Sequence, residues 1–165
     1  RTINHSIEKN IDLFTQNNLQ VLWQTGKAFE AQALQSVKDK NAENIKPTAF
    51  IFEMDKAYAS ADIVISRAGA LSISELCLIQ KPCILVPSPN VSEDHQTKNA
   101  MSLVNKNAAW LVKDVDALSI LGGKAVELSQ NEEVKLKLSK NISALGKPNA
   151  ANEIYDEIIK LITIK

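Results

Sequence analysis

The chain has 165 residues, 45% of them hydrophobic, and its 19 basic and 19 acidic residues give a formal net charge of zero. This length suits a single domain that buries one sound core. The balanced charge argues against a nucleic-acid partner, and two Trp, two Tyr and four Phe are too few for a base-stacking platform. No apolar run approaches the roughly 20 residues of a membrane span and no signal-peptide pattern is visible, so we expect a cytoplasmic domain.

The first third of the chain alternates between helical and strand patterns. Apolar residues at helical spacing predict an opening helix that carries Ile3, Ile7, Ile11 and Phe14. Strands are then predicted over 20–25 and 48–52, and helices over about 28–37 and 57–61, with Gly26 at the first turn.

The most informative stretch begins with the apolar run 63–65. Uninterrupted β-branched residues are typical of a strand covered on both faces of a parallel sheet, so we expect this strand to be central. It ends at Ser66, and after Gly69 the residues Ser72 and Glu75 match the S-x-x-E capping box, which predicts a helix that begins near Ser72. The amides at its start would point out of the carboxyl edge of the sheet, where they can hold a phosphate, and Gly69 would let that ligand approach the backbone.

Two residues in this stretch have two interpretations each. Glu75 either completes the capping box or accepts hydrogen bonds from a ribose diol, and the pattern alone favours the cap. Arg67 is either a solvated surface side chain or a ligand-binding residue whose planar guanidinium group donates two hydrogen bonds to a diphosphate.

A second unit repeats this logic. Pro82 ends the preceding helix, 83–86 is another uninterrupted apolar strand, and Ser92, Glu93 and Asp94 form a cluster of helix-cap and first-turn residues.

Polar residues then lie on the opening turns of the next helix. Gln96 and Asn99 are three residues apart and share one face, with His95 beside them. They form either an ordinary polar helix surface or a face that recognises sugar hydroxyls at the carboxyl edge of the sheet.

The remaining pattern completes an alternating architecture. Repeated strand and helix alternation predicts an α/β fold with a doubly wound parallel sheet. The remaining elements are an edge strand over 108–112, a helix with Leu118, Leu121, Ala125 and Leu128, a helix with Val134, Leu138 and Ile142, a break over 146–149, and a last helix with Ile154, Ile158 and Leu161.

The two cysteines lack metal-ligand spacing. Cys77 falls in a predicted helix and Cys83 in a predicted strand, so we expect two reduced and buried thiols. With only two His in the chain, no His/Cys cluster is visible and no metal site is predicted.

Three ordered motifs carry a resemblance to a known family. SRAGALSISE, KPCILVP and DHQTKNA, together with TAFIFEMDKAYASAD before them, closely resemble the carboxyl-terminal donor-binding half of the MurG-type bacterial N-acetylglucosaminyltransferases. The resemblance covers essentially the whole chain. It implies a Rossmann-like half of a GT-B type glycosyltransferase, which takes N-acetylglucosamine from UDP-N-acetylglucosamine and transfers it, with inversion, to a muramoyl-pentapeptide on undecaprenyl diphosphate during peptidoglycan synthesis.

The resemblance also implies roles for individual residues. Glu75 is then expected on the ribose hydroxyls, which reverses the preference for a cap, and the backbone of Ile51 on the uracil. Gln96 would contact the donor sugar, while Arg67, Gly69, His95 and Asn99 are expected nearby with less defined roles. The diphosphate and ribose segment would be Ala70, Leu71, Ser72, Ile73, Ser74 and Glu75.

The same resemblance predicts what the chain lacks. We expect residues 1–165 to form one donor-binding domain without the family's first strand, its glycine-rich loop and its amino-terminal acceptor domain. The catalytic base, the lipid-linked acceptor and the membrane contact would belong to that missing half, so the chain alone is predicted to be inactive. No cofactor is expected, since UDP-N-acetylglucosamine is a substrate and its binding needs no metal.

Two alternatives stay open at this point. One is another UDP-sugar enzyme of the same fold, such as an epimerase or a different glycosyltransferase. The other is a non-catalytic nucleotide-binding module in which Glu75 only caps a helix.

Overall fold

The computed structural model of the chain describes residues 1–90 and 94–163. Helices and strands alternate along it, as the patterns predicted. In chain order the elements are α1 (Thr2–Lys9), α2 (Ile11–Gln16), β1 (Val21–Gln24), α3 (Lys27–Asp39), β2 (Ile45–Thr48), α4 (Met54–Ser60), β3 (Val64–Ser66), α5 (Ala70–Ile79), β4 (Cys83–Leu85), α6 (His95–Val104), β5 (Trp110–Leu111), α7 (Asp114–Gln130), α8 (Glu132–Ser143) and α9 (Ala150–Thr163).

The strands pair in parallel in two groups. β1 pairs with β2, and β3, β4 and β5 form a second sheet in that order. The predicted α/β class with parallel strands is therefore confirmed. The expectation that the 63–65 strand is central is wrong within the described residues, because β3 pairs only with β4 there and its residues are half-buried. The central and fully buried strand is β4.

Alternate residues of β4 face two hydrophobic clusters. Ile84, together with Val86 just after the strand, belongs to the cluster formed with α1, α2 and α7, whereas Cys83 and Leu85 belong to the cluster formed with α5, α6 and α8. Because side chains alternate across a strand, helices cover both faces of this sheet. This double cover explains why the strand is apolar without interruption. Both cysteines are free and buried, as predicted.

Several boundaries differ from those predicted. The opening helix is two helices, separated at Asn10, although Ile7, Ile11 and Phe14 are all buried. The strand expected over 48–52 ends at Thr48, so that prediction is wrong beyond its first residue. Register explains the shift, because β2 pairs with β1 from Val21 opposite Ile45 to Gln24 opposite Thr48, and no part of β1 continues further.

The carboxyl-terminal helix α9 forms where it was predicted. Its apolar residues are exposed rather than packed, with 61% of Ile154, 49% of Ile158 and 75% of Leu161 accessible to solvent. Within the described part of the chain, no helix combines the length and apolar character that crossing a bilayer requires.

Candidate functional site

The start of α5 lies just beyond the carboxyl end of β3. Gly69 precedes the helix with φ −66° and ψ 152°, and no side chain caps it. The first backbone hydrogen bond of the helix runs from the Ile73 N–H to the Gly69 carbonyl, at 2.9 Å. The amides of Ala70, Leu71 and Ser72 therefore come before the helical ladder and carry the partial positive charge of a helix start.

The predicted capping box is wrong. Because the helix begins at Ala70 rather than near Ser72, Ser72 occupies its third position and cannot be its N-cap. Glu75 lies one turn further on, is exposed, and accepts a hydrogen bond from the Tyr58 hydroxyl, 3.1 Å from Oη to Oε2. The structural role that competed with ligand binding for Glu75 is thus removed.

Space is left in front of Gly69. A Cβ built on this residue would meet only the Ser72 hydroxyl within 4 Å, at 3.8 Å. Its φ is also one that any residue adopts, so neither backbone strain nor internal packing requires glycine here. Room for a bound group is the function that glycine can serve at this position.

The other residues of the predicted diphosphate and ribose segment differ in what they offer a ligand. Ile73 packs against the hydrophobic cluster beneath α5, and the Ser74 hydroxyl donates to the Ala70 carbonyl at 3.1 Å. Leu71 is 81% exposed. The backbone amides before the helical ladder, the exposed Leu71 side chain and the exposed Glu75 carboxylate are therefore what this end of α5 can offer a ligand.

Gln96 and Asn99 turn inward and hold two loops. Gln96 Oε1 accepts from the Ser88 amide at 2.9 Å and from the Ala68 amide at 3.3 Å, while Asn99 Nδ2 donates to the Ala68 carbonyl at 3.0 Å. The loop after β3 and the loop after β4 are thereby joined through α6. Since the Gln96 oxygen is occupied by amides, its NH2 group is the part that can donate to a ligand.

Arg67 also binds backbone. Its Nη1 donates to the Val86 carbonyl at 3.0 Å and the Pro87 carbonyl at 3.2 Å, and it pairs with Asp114 at the start of α7. Asp114 also accepts from the Thr2 hydroxyl at 2.9 Å. Burial raises the pKa of Asp114, but the bonds from Arg67 and Thr2 outweigh it and hold the pKa below its usual value. We refer to Arg67, Gln96 and Asn99 as the loop clamp.

Ile51 follows β2 in an irregular segment rather than ending a strand. Its N–H donates to the Gln24 side-chain oxygen at 3.0 Å. The neighbouring Phe50 and Phe52 are 55% and 89% exposed and pack edge to face, with ring centroids 5.1 Å apart. Beyond β2, the half-buried Ile51 therefore lies between two exposed aromatic side chains that contact each other.

Two candidate residues at the start of α6 are exposed. His95 is the first residue of this helix, and Asp94 precedes it with a left-handed φ of 55° and no side-chain cap bond. The predicted cap residues Ser92 and Glu93 lie outside the described residues.

Surface hollows elsewhere in the molecule do not include these residues. One, of about 320 Å³, lies at the amino ends of β1 and β2 beside Asn18 and Asn44. Another, of about 460 Å³, lies beside β5 and is lined by Trp110, Lys124 and Leu138. Among the described residues, no three His, Cys, Asp or Glu side chains come together as metal ligands.

Sequence reasoning missed three polar partners of the site. Gln24, Tyr58 and Asp114 bind Ile51, Glu75 and Arg67 respectively, from positions 27, 17 and 47 residues away along the chain. The available signals were weak. Gln24 lies near the end of the strand predicted over 20–25, and Asp114 is an acidic residue in the first turn of a helix, both of which are common in any α/β domain.

Comparison with known structures defines the class of protein. The fold matches a crystal structure of Acinetobacter baumannii MurG with a TM-score of 0.81 and 25% identity, over 96% of this chain and 46% of that chain. It also matches the structure titled as the glycotransferase of kitacinnamycin, with a TM-score of 0.67 and 20% identity, over 92% of this chain and 38% of that one. The α/β architecture is thus that of one half of a GT-B type glycosyltransferase.

The family model described as the glycosyltransferase family 28 C-terminal domain matches residues 1–154. The chain therefore belongs to this family, and the resemblance drawn from its three motifs is confirmed.

Curated relatives extend this similarity. Proteins named UDP-N-acetylglucosamine--N-acetylmuramyl-(pentapeptide) pyrophosphoryl-undecaprenol N-acetylglucosamine transferase match from Cytophaga hutchinsonii, at 52% identity over 162 residues, and from Parabacteroides distasonis, at 48% over 165. The matches cover 98% and 100% of this chain but 43% and 45% of those proteins. The chain thus spans less than half the length of these relatives.

Proposed function

We propose that this chain is the donor-binding part of an inverting N-acetylglucosaminyltransferase whose donor is UDP-N-acetylglucosamine. The acceptor in this proposal is the muramoyl-pentapeptide carried on undecaprenyl diphosphate, so the product is the lipid-linked disaccharide precursor of peptidoglycan. The names of the curated relatives support the reaction. The single structural observation that supports the site is the uncapped start of α5, with Gly69 and an exposed Glu75 beside it.

Each part of the donor has a partner in this proposal. The amides of Ala70, Leu71 and Ser72 bind the diphosphate, because a helix start attracts anions through its unpaired N–H groups and its dipole. Glu75 accepts hydrogen bonds from the ribose hydroxyls. The backbone of Ile51 pairs with the uracil after the Gln24 side chain moves away from the Ile51 N–H. The NH2 group of Gln96 donates to the sugar.

Catalysis then follows from where charge develops. The acceptor hydroxyl oxygen forms a bond to the anomeric carbon as the bond from that carbon to the diphosphate oxygen breaks. The electron pair leaves with UDP, and the hydroxyl proton passes to a base. Negative charge grows on the diphosphate, so amides already directed at it stabilise the transition state more than the bound donor.

Other parts of the reaction are expected from outside this chain. We expect the base, the acceptor site and the contact with the cytoplasmic face of the inner membrane in the part of the relatives that the chain does not cover. The purified chain should therefore bind the donor without transferring its sugar.

Calorimetric titration of the purified chain tests the donor. UDP-N-acetylglucosamine should bind more tightly than UDP-glucose and UDP-N-acetylgalactosamine, and equal affinity for all three would count against this donor and favour another UDP-sugar enzyme of the same fold. In parallel, Glu75→Gln should weaken binding about tenfold while the melting temperature is unchanged. Unchanged affinity in that variant would remove Glu75 from the site.

A further inference from the structure

Tyr58 lies on α4 and reaches the carboxylate of Glu75 on α5. The Tyr58 hydroxyl is 3.1 Å from Glu75 Oε2, and the two residues are 17 positions apart. Tyr58 is half-buried, whereas Glu75 is exposed. A half-buried side chain thus binds an exposed one.

A second hydrogen bond joins α4 to the residues that follow α5. The Lys81 ammonium group, two residues beyond the end of α5, donates to the Ala59 carbonyl near the end of α4 at 3.2 Å. Tyr58 has only two side-chain torsions, and its ring is partly packed. Glu75 has three torsions and would otherwise sample many rotamers in solvent, which a ligand would have to restrict on binding.

The direction of the hydrogen bond is defined. Burial, the bond to Glu75 and the negative charge of that residue raise the pKa of Tyr58 to about 12. The phenol therefore carries its proton at neutral pH and donates, while the carboxylate accepts. One carboxylate oxygen is engaged, and Oε1 is left to accept from other donors.

We propose that Tyr58 is a positioning residue for a vicinal diol of the nucleotide ligand: it binds Oε2 of Glu75 and so directs Oε1 toward the two hydroxyls. This inference rests on the proposed function, because it assigns a supporting residue to the ribose contact of Glu75. Tyr58 itself does not touch the ligand. Its effect should therefore depend on the diol being present.

The test compares UDP with 2′-deoxy-UDP, titrated calorimetrically into the unchanged chain and into Tyr58→Phe. The unchanged chain should prefer UDP about tenfold. Tyr58→Phe should reduce this preference roughly threefold to tenfold, because UDP should lose more affinity than 2′-deoxy-UDP, which keeps only the 3′-hydroxyl. Tyr155→Phe makes the same substitution at a tyrosine of α9 that is 62% exposed, and it should leave both affinities unchanged.

Each outcome separates this inference from the proposed function. If the unchanged chain binds UDP no better than 2′-deoxy-UDP, the ribose contact of Glu75 is wrong and the role of Tyr58 is overturned with it. If the preference exists but survives in Tyr58→Phe, only the role of Tyr58 is overturned. An equal loss for both ligands together with a lower melting temperature would show a purely structural side chain, which also overturns the inference.

A double-mutant cycle provides a second measurement. If Tyr58 acts through Glu75, then Tyr58→Phe should have no further effect on UDP affinity in a chain that already carries Glu75→Ala, which removes the acceptor of the Tyr58 hydroxyl. Additive losses in the double variant would contradict the inference.

Discussion

Two helices begin near the carboxyl edge of the β3–β4–β5 sheet. The polar groups at the start of one face open space, whereas those at the start of the other bind the protein backbone. At the start of α5 no side chain caps the helix, the space before Gly69 is open, and Glu75 faces solvent. At the start of α6, Gln96 and Asn99 bind the backbone of both neighbouring loops. The difference indicates a division of labour, in which the loop clamp fixes the edge and α5 presents the groups that can meet a ligand.

This comparison predicts that clamp residues act on stability first, whereas α5 residues act on affinity first. The largest effect is expected at Arg67. Arg67→Met removes the donor to two carbonyls of buried residues, Val86 and Pro87, and leaves Asp114 without its charged partner. We expect the free energy of unfolding in urea to fall by about 3 kcal/mol.

The control is Lys56→Met, at a lysine of α4 whose side chain is 71% exposed and which pairs with Glu53 just before that helix. The free energy of unfolding of this variant should fall by less than about 1 kcal/mol. A similar fall in the free energy of unfolding of the two variants would show that Arg67 is another solvated surface charge. Arg67 would then not belong to the loop clamp.

Gln96 is expected to have the next largest effect. Gln96→Ala leaves the amides of Ala68 and Ser88 without their acceptor and should lower stability by about 2 kcal/mol. Gln96→Glu keeps an acceptor oxygen but lacks the NH2 group, so it should restore most of the stability while still binding UDP-N-acetylglucosamine weakly. Full affinity in the glutamate variant would show that Gln96 only supports the loops.

The sequence predicted the elements better than it predicted this division. Uninterrupted apolar runs located β3 and β4, because a strand packed on both faces needs no polar alternation, and polar residues marked the turns that follow. The S-x-x-E pattern misplaced the start of α5 by two residues. Gly69, with its extended ψ, directly precedes the helix, which begins at Ala70. Ser72 and Glu75 therefore lie inside the helix, where they cannot form a capping box at its start.

The roles of individual side chains were harder to predict, since they depend on partners far along the chain. From the sequence, Gln96 and Asn99 could form an ordinary polar surface, which is the more common case, or a sugar-binding face. Their bonds to Ala68 span 28 and 31 residues of the chain, and Gln96 also binds the Ser88 amide eight residues away. The end of β2 was misplaced for a similar reason. Its length is set by pairing with β1, which the sequence of β2 alone does not contain.

Gly69 tests the open side of the comparison. Gly69→Ala introduces a methyl group that meets only the Ser72 hydroxyl at 3.8 Å, so stability should change by less than about 1 kcal/mol. If a diphosphate lies over this residue, its affinity should fall about tenfold, which corresponds to about 1.4 kcal/mol of binding free energy.

The matched control is Gly123→Ala, which lies within α7 and where a Cβ would meet nothing within 4 Å. This variant should gain up to about 1 kcal/mol of stability from helix propensity and bind UDP normally. Normal UDP binding in Gly69→Ala as well would place the ligand away from the start of α5.

The smallest effect is expected from the pH dependence of the clamp. Because Arg67 and Thr2 lower the pKa of Asp114 in the folded chain, its charge contributes stability above the ordinary aspartate pKa of about 4, and this contribution is lost as the pH falls through the lowered native value. At pH 7 the free energy of unfolding of Asp114→Asn should therefore be lower than that of the unchanged chain by about 1 kcal/mol or less. This difference should shrink below about pH 4. Asp116→Asn, which removes an exposed carboxylate from the same helical turn, is the matched control. If the difference for Asp114→Asn stayed constant from pH 7 to pH 3, the Arg67–Asp114 bond would contribute no charge-dependent stability, and the clamp would depend on its hydrogen bonds to backbone alone.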